Sequence, residues 1–358
     1  MPPNTNQRRD QFMNQAKSTN KSMLSKLLFC IGDSVRYRKI ALLAVLILLG
    51  SAMESLIMAG VYPFIGLMNN PNLVTEMKYI SDFYHYIGSP APMTTVSYLG
   101  LGLILCYVLK IIYQILLYYV QCRFSFNLSG AITKKLFRAY IRSPYSFHLE
   151  ANSATLLRNV NQNVGALTIA LRNIIALVNE VTIVIGISVI LFLVEPVTLL
   201  TQAAVIVPLS ILYTKIFKGT IRRCSETDQK ASENVNKSLN QSFQGIKDVK
   251  ILCKENYFED QFSEEIDTRN KSRILASFIF FTPRNFLEAA GLIGMLSGFI
   301  ALVYMEYSTT EILQIIGITV AASFKIIPSA SRILACLSEL QFSGPPIDII
   351  YQDLQTSI

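Results

Sequence analysis

Apolar residues along this chain are gathered into six long runs, at 40–68, 96–120, 174–194, 197–213, 274–304 and 312–327, instead of recurring at the period of a surface helix or strand. A helix needs about 17–25 mostly apolar residues to cross a bilayer, and the first five runs meet that length. The sixth is interrupted at its end by Lys325 and Pro328; it is counted as a span because an even number of crossings matches the charge pattern described below. Glu195-Pro196 is the only break between the third and fourth runs, and a residue before proline is pushed out of helix, so these two form a tight hairpin. Residues 305–311 join the fifth and sixth almost as briefly. The first run begins after 39 residues, exceeds the apolar core of a signal peptide and lacks a small-residue cleavage site, so it is expected to be a span.

The two long connections have a helical pattern of their own. After the second run Phe124, Leu128, Ile132, Leu136 and Tyr140 recur every four residues among basic neighbours, which predicts that the second span continues as a helix beyond the bilayer. Ser143-Pro144 breaks it, residues 145–154 turn the chain, and Leu156, Leu157 and Val160 begin the return. After the fourth run Phe217, Ile221, Cys224, Ala231 and Val235 mark a descending helix, Gly245 a turn, and Phe258, Phe262 and Ile266 an ascending one. Two helical stalks, each tipped by a short crosswise element, are predicted.

Composition fits a membrane protein: 51% of residues are hydrophobic and 16% charged, where soluble domains carry about 25% charged residues. The net charge of +8 would raise the question of nucleic acid in a soluble chain. Here the basic residues fall in particular loops. Lys and Arg number eight before Ile40, six between Gln121 and Asn173 with Arg172 left to the third span, and twelve from Lys215 to Arg273, against only Lys78 in the 69–95 loop. Basic loops stay inside, which predicts cytoplasmic termini and stalks in the inner cell membrane, with no nucleic-acid partner. All six cysteines then lie in the membrane or on the reducing side, where no disulfide is expected.

Two stretches carry a family resemblance. Ser143-Pro-Tyr-Ser-Phe-His-Leu-Glu-Ala-Asn-Ser-Ala-Thr-Leu-Leu-Arg158 has a proline, a bulky aromatic pair, a small or acidic stretch and a leucine pair with arginine; Gln244-Gly-Ile-Lys-Asp-Val-Lys-Ile-Leu252, followed by Glu255-Asn-Tyr-Phe258, has a glycine, alternating apolar and basic residues and an acidic-aromatic pair. With the span layout, these resemble the two cytoplasmic loops of the transmembrane domain of ABC exporters. The resemblance implies an all-α six-span fold and a homodimer that exchanges its fourth and fifth spans. It also implies that the stalk tips couple to a nucleotide-binding ATPase domain or subunit. On that reading Tyr145, Phe147 and Leu149, and Gln244, Gly245 and Val249, are the coupling residues, with Phe147 the anchor. Residues 1–38 are a cytoplasmic N-terminus with an interfacial elbow helix built on Leu24, Leu27, Leu28, Ile31 and Val35, residues 39–340 the transmembrane domain, and residues 341–358 a linker toward a nucleotide-binding domain. No G-x-x-x-x-G-K-[ST] phosphate loop occurs, so this chain is expected to hydrolyse no ATP alone. ATP and Mg would bind a separate subunit or a further C-terminal domain.

Catalytic and metal-binding patterns are sparse. The histidines are His85 and His148, both in polar loops, and no cysteine pair has zinc spacing, so no catalytic or metal residue is expected. Ionisable residues inside spans are the informative ones, because each costs roughly 2.5–3.5 kcal/mol facing lipid at mid-bilayer. Arg284 and Glu288 are i, i+4 neighbours and should pair. Glu54, Glu180, Lys110 and Lys325 are placed in a substrate cavity, and the two lysines, without acidic neighbours in sequence, become candidates for contact with an anionic substrate, for snorkelling to the interface or for interhelical pairs. In the 69–95 loop Leu73, Met77, Ile80, Tyr84 and Ile87 fall on one helical face. Such an external helix resembles flippases of lipid-linked oligosaccharides and suggests a lipid-linked glycan as cargo; a helix that merely caps the outer opening is the alternative. A non-transporting regulatory or scaffold subunit on the same fold, or an exporter of another amphipathic substrate, is also compatible with the sequence.

Overall fold

The computed structural model describes residues 23–31, 37–69, 92–150, 153–194, 196–306 and 309–356. The external segment with Leu73, Met77, Ile80, Tyr84 and Ile87, the first 22 residues and Glu195 lie outside the described residues. Within them the chain is helical: α1 (Met23–Ile31), α2 (Tyr37–Asn69), α3 (Pro92–Arg142), α4 (Tyr145–Glu150), α5 (Ser153–Arg158), a π turn (Asn159–Asn163), α6 (Val164–Val194), α7 (Pro196–Gln244), α8 (Ile246–Ile251), α9 (Glu255–Tyr304), α10 (Thr309–Phe342) and α11 (Gly344–Thr356). Six of these, α2, α3, α6, α7, α9 and α10, contain stretches long and apolar enough to cross a membrane.

Length shows where the chain leaves the bilayer. Helices α3, α7 and α9 have 51, 49 and 50 residues, about 75 Å each at ~1.5 Å per residue, more than twice the ~30 Å hydrocarbon core. The predicted stalks are therefore uninterrupted extensions of the spans. Their inner faces are the ones read from the sequence: Leu128, Ile132, Leu136 and Tyr140 are buried on the first stalk, and Ile221, Cys224, Ala231 and Val235 on the second. The sixth span is longer than its apolar run. Helix α10 continues through Lys325 and Pro328 to Phe342, and Pro63, Pro208 and Pro283 likewise sit inside continuous helices.

Helices α7 and α9 pack on each other along much of their length. Near the outer end Gly294 and Gly298, a G-x-x-x-G pair, let α9 approach the backbone of α7: a Cβ at Gly294 would lie 2.9 Å from the Gln202 Cα, and one at Gly298 2.7 Å from the Thr201 Oγ1. Small residues are how membrane helices come close without a hydrophobic driving force between them. Gln202 uses the proximity to donate to Ser323 Oγ of α10 at 2.9 Å.

Residues 341–358, expected as a linker, contain a folded helix. Gly344, Pro345 and Pro346 look like a break, yet proline suits the first helical turn, where its missing N–H has no partner to lose. Helix α11 buries Ile347, Ile350, Tyr351 and Leu354 against α1 and the first stalk, in one apolar cluster with Leu27, Cys30 and Leu136. Burial holds the Cys30 thiol up at about 12 against the opposing charge of Lys135. Lys26 pairs with Asp348 at 2.7 Å, and Phe29 meets Tyr351 edge to face at 5.0 Å.

Candidate functional site: a charge cluster between the spans and two apolar stalk tips

The ionisable residues of the spans are brought together by contacts that no sequence spacing reveals. Glu54 on α2 accepts from Lys110 of α3 at 2.5 Å and from Lys325 of α10 at 2.8 Å, one lysine on each carboxylate oxygen. The Tyr107 ring lies 5.2 Å from the Lys110 Nζ and 5.9 Å from that of Lys325, close enough for its π face to share the cations. Glu180 on α6 accepts from Arg332 of α10 at 2.8 Å, while its other oxygen, Oε2, is buried without a hydrogen-bond partner. Arg284 and Glu288 pair at 2.9 Å as expected, on an exposed face of α9.

Among these five residues three cations face two carboxylates, so their own charges sum to one positive. An unpaired charge excluded from water is strongly unfavourable, so the exposure of each cation matters. Lys110 is sealed: the cavity that it lines with Glu54, Tyr113 and Asn179 holds about 20 Å³, room for about one water. Lys325 and Arg332 keep 32% and 60% of their side chains exposed. They are seven residues apart on α10, two helical turns, and so share a face. Of the alternatives open for Lys110 and Lys325, the structure shows the interhelical pair, both lysines meeting Glu54. Lys110 is the closed counterion of Glu54, and the open cations are Lys325 and Arg332. Arg332 was missed because it follows the last apolar run; the signal that could have found it is its i, i+7 spacing from Lys325.

At the first tip, α3 ends where Ser143 and Pro144 interrupt it, and Phe147 N–H donates to the Pro144 carbonyl at 3.0 Å to open α4. Tyr145 and Leu149 point outward, 75% and 70% exposed. Phe147 turns inward, stacking on Tyr140 at 6.1 Å, and His148 Nε2 donates to the Tyr140 carbonyl at 3.1 Å. Phe147, the expected anchor, is half-buried on the stalk, where Tyr140 supplies an apolar seat one turn before the break.

The second tip repeats the division. Gln244 and Gly245 form the turn, with Gly245 N–H donating to Gln241 at 3.0 Å, and a Cβ on Gly245 would come 2.9 Å from that same carbonyl oxygen. Val249 is buried, whereas Phe243, Ile251 and Leu252 are exposed. Helix α8 closes with Cys253 in the left-handed region at φ 52, its N–H and that of Lys254 turning back to Lys250 and Val249, the pattern of a Schellman cap. Large apolar side chains held out at the far ends of stalks mark contact surfaces.

Behind the first tip a polar chain ties the stalks to α11. Tyr140 Oη donates to Asp353, Asn159 Nδ2 to the same carboxylate at 2.8 Å, Asn163 to Asn159 at 2.8 Å, and Gln229 of the second stalk to Asn163 at 3.0 Å. Arg158 reaches Glu233 at 2.8 Å. Burial raises the Asp353 carboxyl above the ordinary aspartate range, opposed by the Tyr140 and Asn159 hydrogen bonds and the Arg158 charge.

Six candidate spans joined to two paired stalks with crosswise tips make this a multi-pass membrane protein with the layout of a transporter's membrane domain. A family model for the ABC transporter transmembrane region matches residues 39–327, and the chain belongs to that family. Its fold is similar to that of a bacterial Atm1-family ABC exporter solved with ATP bound, with a TM-score of 0.70 at 13% sequence identity. The match covers 91% of this chain and 54% of the other, so this chain spans about half the length of that exporter.

Proposed function

We propose that the chain is the permease of an ATP-driven exporter or flippase that moves an amphipathic substrate with an anionic head, such as a lipid-linked glycan, across the inner membrane. The observation that carries this reading is the excess cation between the spans, with Lys325 and Arg332 open on one face of α10 while every carboxylate of the cluster is engaged. A phosphate or pyrophosphate head entering there supplies the missing negative charge, in surroundings where charge interactions are stronger than in water. An apolar drug or peptide gains nothing from it.

The chain works with an ATPase domain or subunit that holds ATP and Mg. Tyr145 and Leu149 of the first tip and Phe243, Ile251 and Leu252 of the second are the side chains that meet it. The sequence contains no phosphate loop to bind the nucleotide itself. Two copies assemble by exchanging the α7 and α9 hairpin, a reading supported by how far these helices pack on each other. The test is reconstitution with the ATPase in proteoliposomes containing a fluorescent polyprenyl-pyrophosphate glycan or the same glycan on an uncharged lipid. ATP-dependent movement of the charged lipid alone is expected. Equal movement of both, or movement of neither by a preparation that hydrolyses ATP, would remove the anionic-lipid reading and leave the exporter fold.

A further inference from the structure

The seam between α2 and α3 opens at its stalk end into a groove of about 460 Å³, within the range of small-molecule sites. Lys39, Arg123 and Asn127 stand at its polar end, and Leu42, Val120 and Phe124 wall the remainder. Among the described residues no carboxylate lines it.

Sequence position fixes the depth of the groove in a bilayer. Lys39 is the last charge on α2 before fourteen uncharged residues that end at Glu54, and Arg123 is the first charge on α3 after twelve uncharged residues that begin past Lys110. The two helices run antiparallel as neighbours, so both cations mark the same edge of the hydrocarbon, the level of lipid headgroups. Leu42 and Val120, about one turn further in, are exposed, facing where acyl chains lie. The groove therefore has a cationic end at headgroup depth and an apolar end at chain depth, the charge and polarity profile of one anionic lipid. Among the described residues its lining comes from α2 and α3, with none from α6 or α10, the helices that carry Glu180, Lys325 and Arg332. A molecule held here is off the open face of the charge cluster.

We propose that this groove is a binding site for one anionic phospholipid of the stalk-side leaflet, its phosphate between Lys39 and Arg123 and its chains along Leu42 and Val120. Basic pockets between membrane helices bind such headgroups. The bound lipid joins the first span to the second just where α3 becomes the stalk, so the coupling arm depends on the charge of the leaflet. This assignment is independent of which substrate is transported.

The test uses the full chain, purified in a non-ionic detergent, stripped of lipid and supplied with phosphatidylglycerol or phosphatidylcholine. Native mass spectrometry should retain one phosphatidylglycerol per chain and release phosphatidylcholine, and only the former should raise the unfolding temperature. Lys39→Gln with Arg123→Gln should lose the retained lipid yet unfold at the wild-type temperature without lipid; each single variant should bind about fivefold more weakly, which keeps the test open if the double variant folds poorly. Equal retention of phosphatidylcholine, or unchanged binding in the single and double variants, would overturn the site. Displacement of phosphatidylglycerol by an equal amount of polyprenyl pyrophosphate would also overturn it, assigning the groove to the transported lipid, whereas failure of glycan transport would not touch it.

Discussion

Between the spans two carboxylates are held by ions: Glu54 meets Lys110 and Lys325, and Glu180 meets Arg332. On the stalk side Asp353 is met by neutral donors, Tyr140 and Asn159, beside Ile347, Ile350, Tyr351 and Leu354 in a continuous apolar seam. Both arrangements bury a carboxylate, but the first meets it with charged lysine and arginine and the second with neutral hydroxyl and amide donors. A seam of that kind stabilises one arrangement and transmits strain, which suits a clamp that makes α1, the first stalk and α11 move together. The ion cluster keeps one side open, at Lys325 and Arg332. Its excess charge is a cost to the resting protein that a ligand of opposite charge relieves. The comparison separates a region built to hold its shape from one built to receive something.

Removing the shared counterion should give the largest effect. Glu54→Ala leaves Lys110 enclosed and unpaired, a loss of about 3–5 kcal/mol for a broken buried pair, measured by thermal unfolding of the purified protein. Adding Lys110→Met should recover most of it. A single variant as stable as the wild type would show that ions are not what holds these helices. A somewhat smaller loss is expected in the seam. Ile350→Ala deletes a fully buried side chain and should cost about 2–4 kcal/mol, loosening α11. Cys30, buried in the same cluster with its thiol held at about 12, should then become reactive to maleimide, while exposed Cys253 labels in both proteins. Cys30 labelling at the wild-type rate would mean the seam is not a clamp.

Asp353→Asn sharpens the contrast with the smallest change. Because burial raises the folded carboxyl above its unfolded value, its contribution is fully present below the unfolded pKa and is lost as pH rises through the folded one. At pH 7 the charged form is therefore a net cost, and asparagine keeps an acceptor for Tyr140 and Asn159. The variant should match or exceed the wild type in unfolding temperature at pH 7, and the advantage should vanish below about pH 4. A variant less stable at pH 7 would show that the charge itself is needed there, as it is at Glu54.

The spans and stalks were legible because their signals are local: unbroken apolar runs, and a four-residue repeat from Phe124 to Tyr140 whose Leu128 to Tyr140 positions are the buried face. The Arg284 and Glu288 pair was legible for the same reason, being one turn apart. What the sequence could not show was contact across long separations. Glu54 meets Lys325 across 270 intervening residues, and nothing near either residue announces the other. The inward turn of Phe147 depends on where Tyr140 stands after the chain reverses, and helix α11 depends on reading Pro345 and Pro346 as a start instead of a stop.

The claim that the open cations receive an anionic head is tested most directly at Lys325. Lys325→Gln removes the excess charge while Glu54 keeps Lys110, so the fold is retained. In proteoliposomes with the ATPase, the account predicts that movement of the pyrophosphate-linked glycan falls by about tenfold or more, the loss of a charge-assisted contact of roughly 1.5–3 kcal/mol, with basal ATP hydrolysis unchanged and Lys325→Arg near wild type. Glycan movement at the wild-type rate in Lys325→Gln would contradict it.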